Sequence, residues 1–350
     1  MSRIVKWDNP DVTQADIDAA VESLNNHLGA KGPNVDKLEK AFADKLGVKH
    51  AIAVDNGTNA MVATSMVLKH LYGELTIGVP SFTFIASANA PQFVFENIKF
   101  LDISKDNWNI DPNQIKGVDA IMAVDCAGLP ADYDELKKLG IPIIADSAES
   151  AGAKYKGEFV GGQVLMHTFS LHRSKLFTCG EGGMITTNSD LCNELLRSYI
   201  NHGYDMSRES WEYKHKTLGL NFRMSDVHAA IALSQLSRLD SYVEHRRTIA
   251  KVYDDKLSKL EKQVFDNSKY HHNYFLYGVL VDNRDSIIKK LNDSGITVKA
   301  WASIAGQECY QRIDPEVSKY VADRVLLLPI NNRTTVEEAE YVSKTILSLL

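Results

Sequence analysis

The chain is poor in cysteine, has no excess of positive charge, and contains no long hydrophobic run. Its four cysteines (Cys126, Cys179, Cys192 and Cys309) are scattered through 350 residues. They show neither the C-x-x-C spacing of a metal site nor the density of a disulfide scaffold, and they read as reduced thiols of a cytoplasmic protein. With 39 Lys and Arg against 45 Asp and Glu the formal charge is -6. That balance, without any long basic stretch, argues against nucleic acid as a partner. Apolar stretches such as Val325–Ile330 fall far short of the roughly 20 residues a membrane-spanning helix needs. Met1–Asp16 is polar and lacks the apolar core and cleavage site of an export signal. No internal repeat, low-complexity tract or Pro/Gly-rich linker interrupts the chain.

What remains is an ordinary globular composition, 44% hydrophobic and 24% charged, in a length that suits one large domain and a smaller one. Thr13 followed by Asp16 resembles a capping arrangement, and Ile17, Ala20, Val21 and Leu24 recur at helical spacing behind it. A second helix is expected from Pro33 through Val35, Leu38, Phe42 and Leu46, with Gly47 as its stop. From about residue 50, short apolar runs alternate with helical patterns. The runs are Ala51–Val54, Thr76–Val79, Ile98–Leu101, Ala120–Val124, Ile143–Ala145, Met166–Phe169 and Met184–Thr187. Several are apolar on both faces, as strands buried between helical layers must be. The alternation predicts an α/β fold with a mostly parallel sheet, whose ligands sit at the carboxyl ends of the strands. A long helix is expected over about Ser225–Leu260. Beyond it come a strand over Tyr274–Val281, a helix near Ser286–Leu291, a strand near Thr297–Trp301, and a last helix opened by Thr335 and Glu338. This places a large domain at 1–235 and a small α/β domain at 236–350.

Three of the expected strand ends carry unusual residue sets. Asn56-Gly57-Thr58-Asn59 opens an apolar-striped helix, where exposed N–H groups, a glycine and a hydroxyl suit a phosphate or simply cap a helix. Ala145-Asp146-Ser147-Ala148-Glu149 puts an acid at the mouth of a buried strand, where it either caps the next helix or holds a cationic ligand. His167 to Lys175, followed by Thr178-Cys179-Gly180-Glu181-Gly182-Gly183, presents a lysine between two buried strands. Held inward there, its amine loses water and becomes a nucleophile; turned outward, it is a polar hairpin lysine. Together they provide an anion cradle (Gly57, Thr58, Ser170), a carboxylate (Asp146) and an amine (Lys175). Pyridoxal 5'-phosphate needs all three: an anchor for its phosphate, an acid to keep its pyridine nitrogen protonated, and an amine to bond its aldehyde.

These and further segments, in order, resemble the DegT/StrS-type nucleotide-sugar aminotransferases. The likeness runs through Gly32-Pro33, Gly47-Val48-Lys49-His50, Asn56-Gly57-Thr58 and Pro80-Ser81-Phe82-Thr83-Phe84. It continues in Gly128-Leu129-Pro130-Ala131-Asp132, Asp146 to Glu149, Phe169-Ser170 to Lys175, and Gly180 to Gly183. Asn201-His202-Gly203 and Asn221 to Asp226 complete it. The resemblance implies the fold-type I aminotransferase architecture: a mostly parallel seven-stranded sheet covered by helices, with a smaller C-terminal α/β domain. It implies that Lys175 bonds the cofactor, that Asp146 pairs with its ring nitrogen, and that Gly57, Thr58 and Ser170 bind its phosphate. It further implies that Phe84 stacks on the ring and that Asn221 reaches the phosphate in the neighbouring subunit of a homodimer. Glu149 stands where many relatives have Gln or His touching the ring oxygen, and it marks the perosamine-synthase-like members. The segments from Trp301 to Tyr310 and Asn331-Asn332 match poorly.

The implied reaction moves an amino group from an amino acid, glutamate by resemblance, to a nucleotide-linked 4-keto-6-deoxy sugar. Amination at C3, a non-catalytic cofactor-binding regulator, and another fold-type I chemistry such as desulfuration stay open. The last would call for a reactive cysteine or a dedicated substrate arginine; the sequence assigns neither, and Cys179, close to Lys175, reads as a small buried filler.

Overall fold

The computed structural model describes residues 4–205, 207, 209 and 211–350. All seven expected apolar runs form strands: β1 (His50–Val54), β2 (Thr76–Pro80), β3 (Asn97–Leu101), β4 (Ala120–Val124), β5 (Ile143–Asp146), β6 (Met166–Ser170) and β7 (Gly183–Thr187). They join one sheet in the order β1-β7-β6-β5-β4-β2-β3. Only β7 runs antiparallel, between β1 and β6. Every residue of β4 is buried, as is fitting for a central strand covered on both faces. At the edge, β3 exposes Asn97 and Lys99, and polar side chains on a free edge discourage pairing with another chain. One apolar cluster on this sheet includes Phe42, Phe169, Phe177 and Leu129; a second includes Ile52, Met61, Val79 and Met166.

Helix α1 (Gln14–Asn26) starts as its sequence predicts, with the Thr13 N–H donating to the Asp16 carboxylate at 2.9 Å. Its orientation does not follow its apolar stripe. Ile17, Val21 and Leu24 are 48%, 50% and 55% exposed. The buried side carries Asp16, paired with Arg238 at 2.8 Å, and Ser23, which donates to Asp226 at 2.9 Å. Helix α2 (Pro33–Leu46) has Pro33 at its first turn and Gly47 in the left-handed conformation, φ 68°, at its end. Helix α3 (Gly57–Tyr72) follows β1 directly.

The helix expected over Ser225–Leu260 is two helices, α4 (Asp226–Leu236) and α5 (Leu239–Lys256). Ser237 and Arg238 turn the chain between them. The Ser237 and Ser241 hydroxyls donate to the Ser234 and Arg238 carbonyls, and the Arg238 guanidinium is drawn to Asp16. Beyond α5 lies a small antiparallel sheet of β8 (Glu261–Lys262), β9 (Tyr277–Leu280) and β10 (Val325–Leu328), in the order β8-β9-β10. The strand expected near Thr297–Trp301 is reduced to an isolated bridge of Lys299 to Leu327, because the chain bends away to line a cleft. The expected last helix runs from Val336 to Leu349 with its capping box intact.

The segment from Val5 to Asp16 links the small sheet to the chain around Arg173 and to the α4–α5 turn. Val5 is buried in the core of the small sheet and pairs with Ile296. The Lys6 carbonyl accepts from Asn331 at 2.9 Å. Asp8 pairs with Arg173 at 3.1 Å, Asp11 with Arg333 at 2.9 Å, and Asp16 with Arg238. Among the described residues no helix is long and apolar enough to cross a membrane.

Candidate active site

The carboxyl ends of β1, β2, β5 and β6 open into a cleft of about 940 Å³. One end of it is the start of α3. Asn56 caps that helix, its side chain accepting from the Asn59 N–H at 2.8 Å. The first-turn N–H groups of Gly57 and Thr58 have no acceptor within the helix and lie at its positive end, an arrangement that attracts phosphate. Gly57 and Ser170 touch: a Cβ on Gly57 would sit 2.8 Å from the Ser170 Cβ. Gly183 is equally required, since a Cβ there would meet the Asn56 backbone at 2.6 Å. Two glycines thus let β7 and β6 close around the helix start. Gly57→Ala is expected to fold, alanine being the better helix former, yet to crowd the cradle. Cofactor retention should fall roughly tenfold or more by equilibrium dialysis, about the loss of one charge-assisted hydrogen bond.

The lysine loop follows β6. The Lys175 N–H donates to the His172 carbonyl at 2.8 Å, closing the turn that the returning glycines complete. Its side chain is 16% exposed, with Nζ 3.8 Å from Glu149 Oε1 and 4.4 Å from the centroid of the Phe275 ring. Asp146 ends β5 and is buried; its carboxylate accepts from Ser87 Oγ at 2.6 Å and from the Ala148 N–H at 3.1 Å. Burial raises its pKa, and the Ser87 hydroxyl, the Ala148 N–H and the Lys175 charge offset that only in part. A carboxyl so placed gains from a cationic partner.

Glu149 is buried beside it, with Oε2 accepting from the Ala127 N–H at 2.9 Å. Burial pushes it up to about 7, against the lowering effect of Lys175, and Asp146 raises it further. A carboxyl whose folded pKa is raised costs nothing below its unfolded pKa near 4.5 and destabilises as pH rises through about 7. The shift corresponds to about 3 kcal/mol. Asp125, fully buried and pushed up to about 6 by desolvation, acts in the same direction. In the cofactor-free protein, thermal stability should therefore fall from pH 5 to pH 8. Glu149→Gln, whose amide oxygen can still accept from Ala127, should flatten that fall in a calorimetric pH series.

Gly57, Thr58, Phe84, Asp146, Glu149, Ser170 and Lys175 all line this one cleft. Phe84 does so 63% exposed, and so is not a core aromatic. Asn221 does not line it; it lies exposed, bridged to Asn201. Cys179 is buried, and burial pushes its thiol far up, which suits a filler and not a nucleophile. The far wall comes from residues outside the set read from sequence: Trp7, Asp8, Arg246, Phe275, Lys299 and Asn331. Asn331 belongs to the Asn331-Asn332 segment that the resemblance matches poorly. Arg246 carried no signal, being one charge in a charged helix.

The donor set fits pyridoxal phosphate: an amine, a buried carboxylate in want of a cation, and a glycine-lined helix start whose space a single Cβ would fill. The chain matches the DegT/DnrJ/EryC1/StrS aminotransferase family over residues 10–347. It is a member of that family. Over 289 residues this aminotransferase is 34% identical to the GDP-perosamine synthase of Caulobacter vibrioides, spanning 77% of this chain and 76% of that one. It is 27% identical over 373 residues to the UDP-4-amino-4,6-dideoxy-N-acetyl-beta-L-altrosamine transaminase of Campylobacter jejuni, spanning 99% of this chain and 98% of that one. Its fold matches that of PseC from Helicobacter pylori, an aminotransferase involved in the biosynthesis of pseudoaminic acid. That match has a TM-score of 0.91 at 23% identity and covers 99% of each chain.

Proposed function

We propose that this aminotransferase uses pyridoxal phosphate to carry an amino group from an amino acid, glutamate foremost, to C4 of a nucleotide-linked 4-keto-6-deoxy sugar. The observation that carries the reading is the position of the Lys175 amine, inside the cleft among two buried carboxyls and an aromatic ring. Gly57, Thr58 and Ser170 would hold the phosphate. Asp146 would keep a proton on the pyridine nitrogen, Glu149 would face the ring oxygen, and Phe84 would cover one ring face. The cofactor, when bound, supplies an electron sink for the carbon attached to the transferred nitrogen. Lys175 Nζ would hold the cofactor's aldehyde, and as a free amine it would take and return the proton at that carbon.

The sugar nucleotide finds support in the names of both curated relatives, and the C4 position in that of the 4-amino-4,6-dideoxy-altrosamine transaminase. Division near residue 235 into a cofactor-binding part and a smaller C-terminal part belongs to the same reading, with Val5 joining the latter's core. So does a homodimer: α1 turns Ile17, Val21 and Leu24 outward, and Asn221 lies exposed, where a second subunit can receive it. Unpaired cysteines agree with a reducing cytoplasm.

The test is transfer from glutamate to a panel of UDP-, GDP- and dTDP-linked 4-keto-6-deoxy sugars, with the product's amine position read by NMR. Amination at C4 of one of them is expected. Amination at C3, or no transfer to any sugar nucleotide, would replace this reading.

A further inference from the structure

We infer that Arg246 binds a carboxylate of the amino donor. This rests on the transaminase reading above and supplies what that reading leaves unassigned, the anchor for the donor's acid groups.

Arg246 lies on α5, is only 3% exposed, and forms part of the cleft wall. Among the described residues no carboxylate comes within ion-pair distance of it. Its Nε donates to Asn332 Oδ1 at 2.9 Å, and its Nη1 donates to the carbonyls of Ile330 at 2.7 Å and Phe275 at 2.9 Å. A longer contact of Nη1 reaches the Tyr274 carbonyl at 3.5 Å. Among the described residues Nη2 has no protein acceptor. Burial pushes the guanidinium down to about 9, and the charge of Asp8 opposes this from a distance. Arg246 thus remains a cation at neutral pH, while Asp8 itself is engaged by Arg173. A buried cation held only by neutral groups is unfavourable until an anion joins it. Here the free Nη2 edge, rigidly aimed by three fixed acceptors, is the place for that anion.

The anions of the reaction are the cofactor phosphate, the nucleotide diphosphate and the donor's carboxylates. The phosphate has its cradle at α3. Position favours the donor over the diphosphate. The Arg246 guanidinium carbon lies 6.0 Å from the centroid of the Phe275 ring, the same ring that carries the Lys175 amine at 4.4 Å. Asn332 ties the two together, since its Oδ1 holds Arg246 while its Nδ2 donates to the Leu176 carbonyl, next to Lys175, at 2.7 Å. The arriving amino acid places its nitrogen where Lys175 was, and its carboxylates are only a few bonds from that nitrogen. The diphosphate is separated from the keto carbon by the sugar ring. The keto-acid product keeps the same carboxylates and would be held by the same edge.

The experiment uses holoenzyme of Arg246→Gln and Arg246→Lys and measures the two half-reactions separately by stopped-flow absorbance. The apparent Kd for glutamate should rise about 30-fold or more in Arg246→Gln, in keeping with loss of a buried charged contact. It should rise at least about tenfold in Arg246→Lys, which keeps the charge but lacks the Nη2 edge. The half-reaction with the sugar nucleotide should change less than about threefold in both. Glutarate, a dicarboxylate with no amine, should bind wild-type holoenzyme in a calorimeter and bind the variants more weakly in the same order. If Arg246→Gln does not fold, Arg246→Lys decides the matter. Unchanged glutamate and glutarate affinity would make Arg246 a tie for backbone carbonyls and overturn the inference. An equal or larger loss in the sugar half-reaction would assign it to the diphosphate and overturn it too. Wild-type enzyme that reacts with no amino acid would instead remove the transaminase reading itself.

Discussion

Replacing Lys175 by alanine is expected to lower turnover by roughly four orders of magnitude or more, since the proposed mechanism asks one amine to be both attachment point and proton carrier. Borohydride reduction of wild-type holoenzyme should fix the cofactor to the peptide containing Lys175, and the variant should give no such adduct. The variant should fold, because no side-chain hydrogen bond of the lysine need be broken. Its close contacts are Glu149 at 3.8 Å and the face of Phe275. It should also show a secondary effect. The Lys175 charge, ahead of the Ala127 N–H, lowers the Glu149 pKa against burial, so its loss should move that titration further up. A variant that retained full transamination would end the assignment of Lys175 as the catalytic amine.

Asp146→Asn is expected to reduce kcat by about a thousandfold while leaving the cofactor bound. A carboxylate and a protonated ring nitrogen at ~4 Å are worth about 4 kcal/mol at an effective dielectric near 20, and each 1.36 kcal/mol is about tenfold in rate. Asparagine keeps one oxygen for the Ala148 N–H and turns its amide N–H toward Ser87 Oγ, whose own proton can swing to Thr83 Oγ1, so the strand end should keep its shape. The loss should therefore appear in kcat more than in KM, and the absorbance of the bound cofactor should change as its ring nitrogen loses the proton. Equal activity in the variant would mean that the nitrogen has another partner.

The parts of this structure that could be read from sequence are those governed by local physics. Seven apolar runs became seven strands because each is short and bounded by turn residues, and all but the edge strand β3 are largely buried between helical layers. Gly47 and the Thr335–Glu338 box ended and began helices where caps must. Gly57, Asp146, Ser170 and Lys175 were legible because a mostly parallel sheet gathers its strand ends in one place. The remainder depends on which way an element turns. The apolar stripe of α1 suggested a core face, yet Asp16 and Ser23 turn inward because Arg238 and Asp226 are there to meet them. Nothing local in Ser237-Arg238 distinguishes a turn from a continuing helix; the pull of Asp16 on Arg238 is tertiary. Arg246 sits among Glu244, His245 and Arg247, and reads as one more solvated charge until the carbonyls of Phe275 and Ile330 are seen to enclose it. Trp7 and Asn331, at opposite ends of the chain, could not be joined by any spacing rule.

The dozen residues from Val5 to Asp16 work as a harness. Fastened to the small sheet at one end and to the α4–α5 turn at the other, they are buckled midway to Arg173, two positions before Lys175. Any swing of the small sheet away from the large one must slacken or strain that buckle. Removing the Asp8 carboxylate would accordingly be felt at Arg173, although the two lie far apart in the chain.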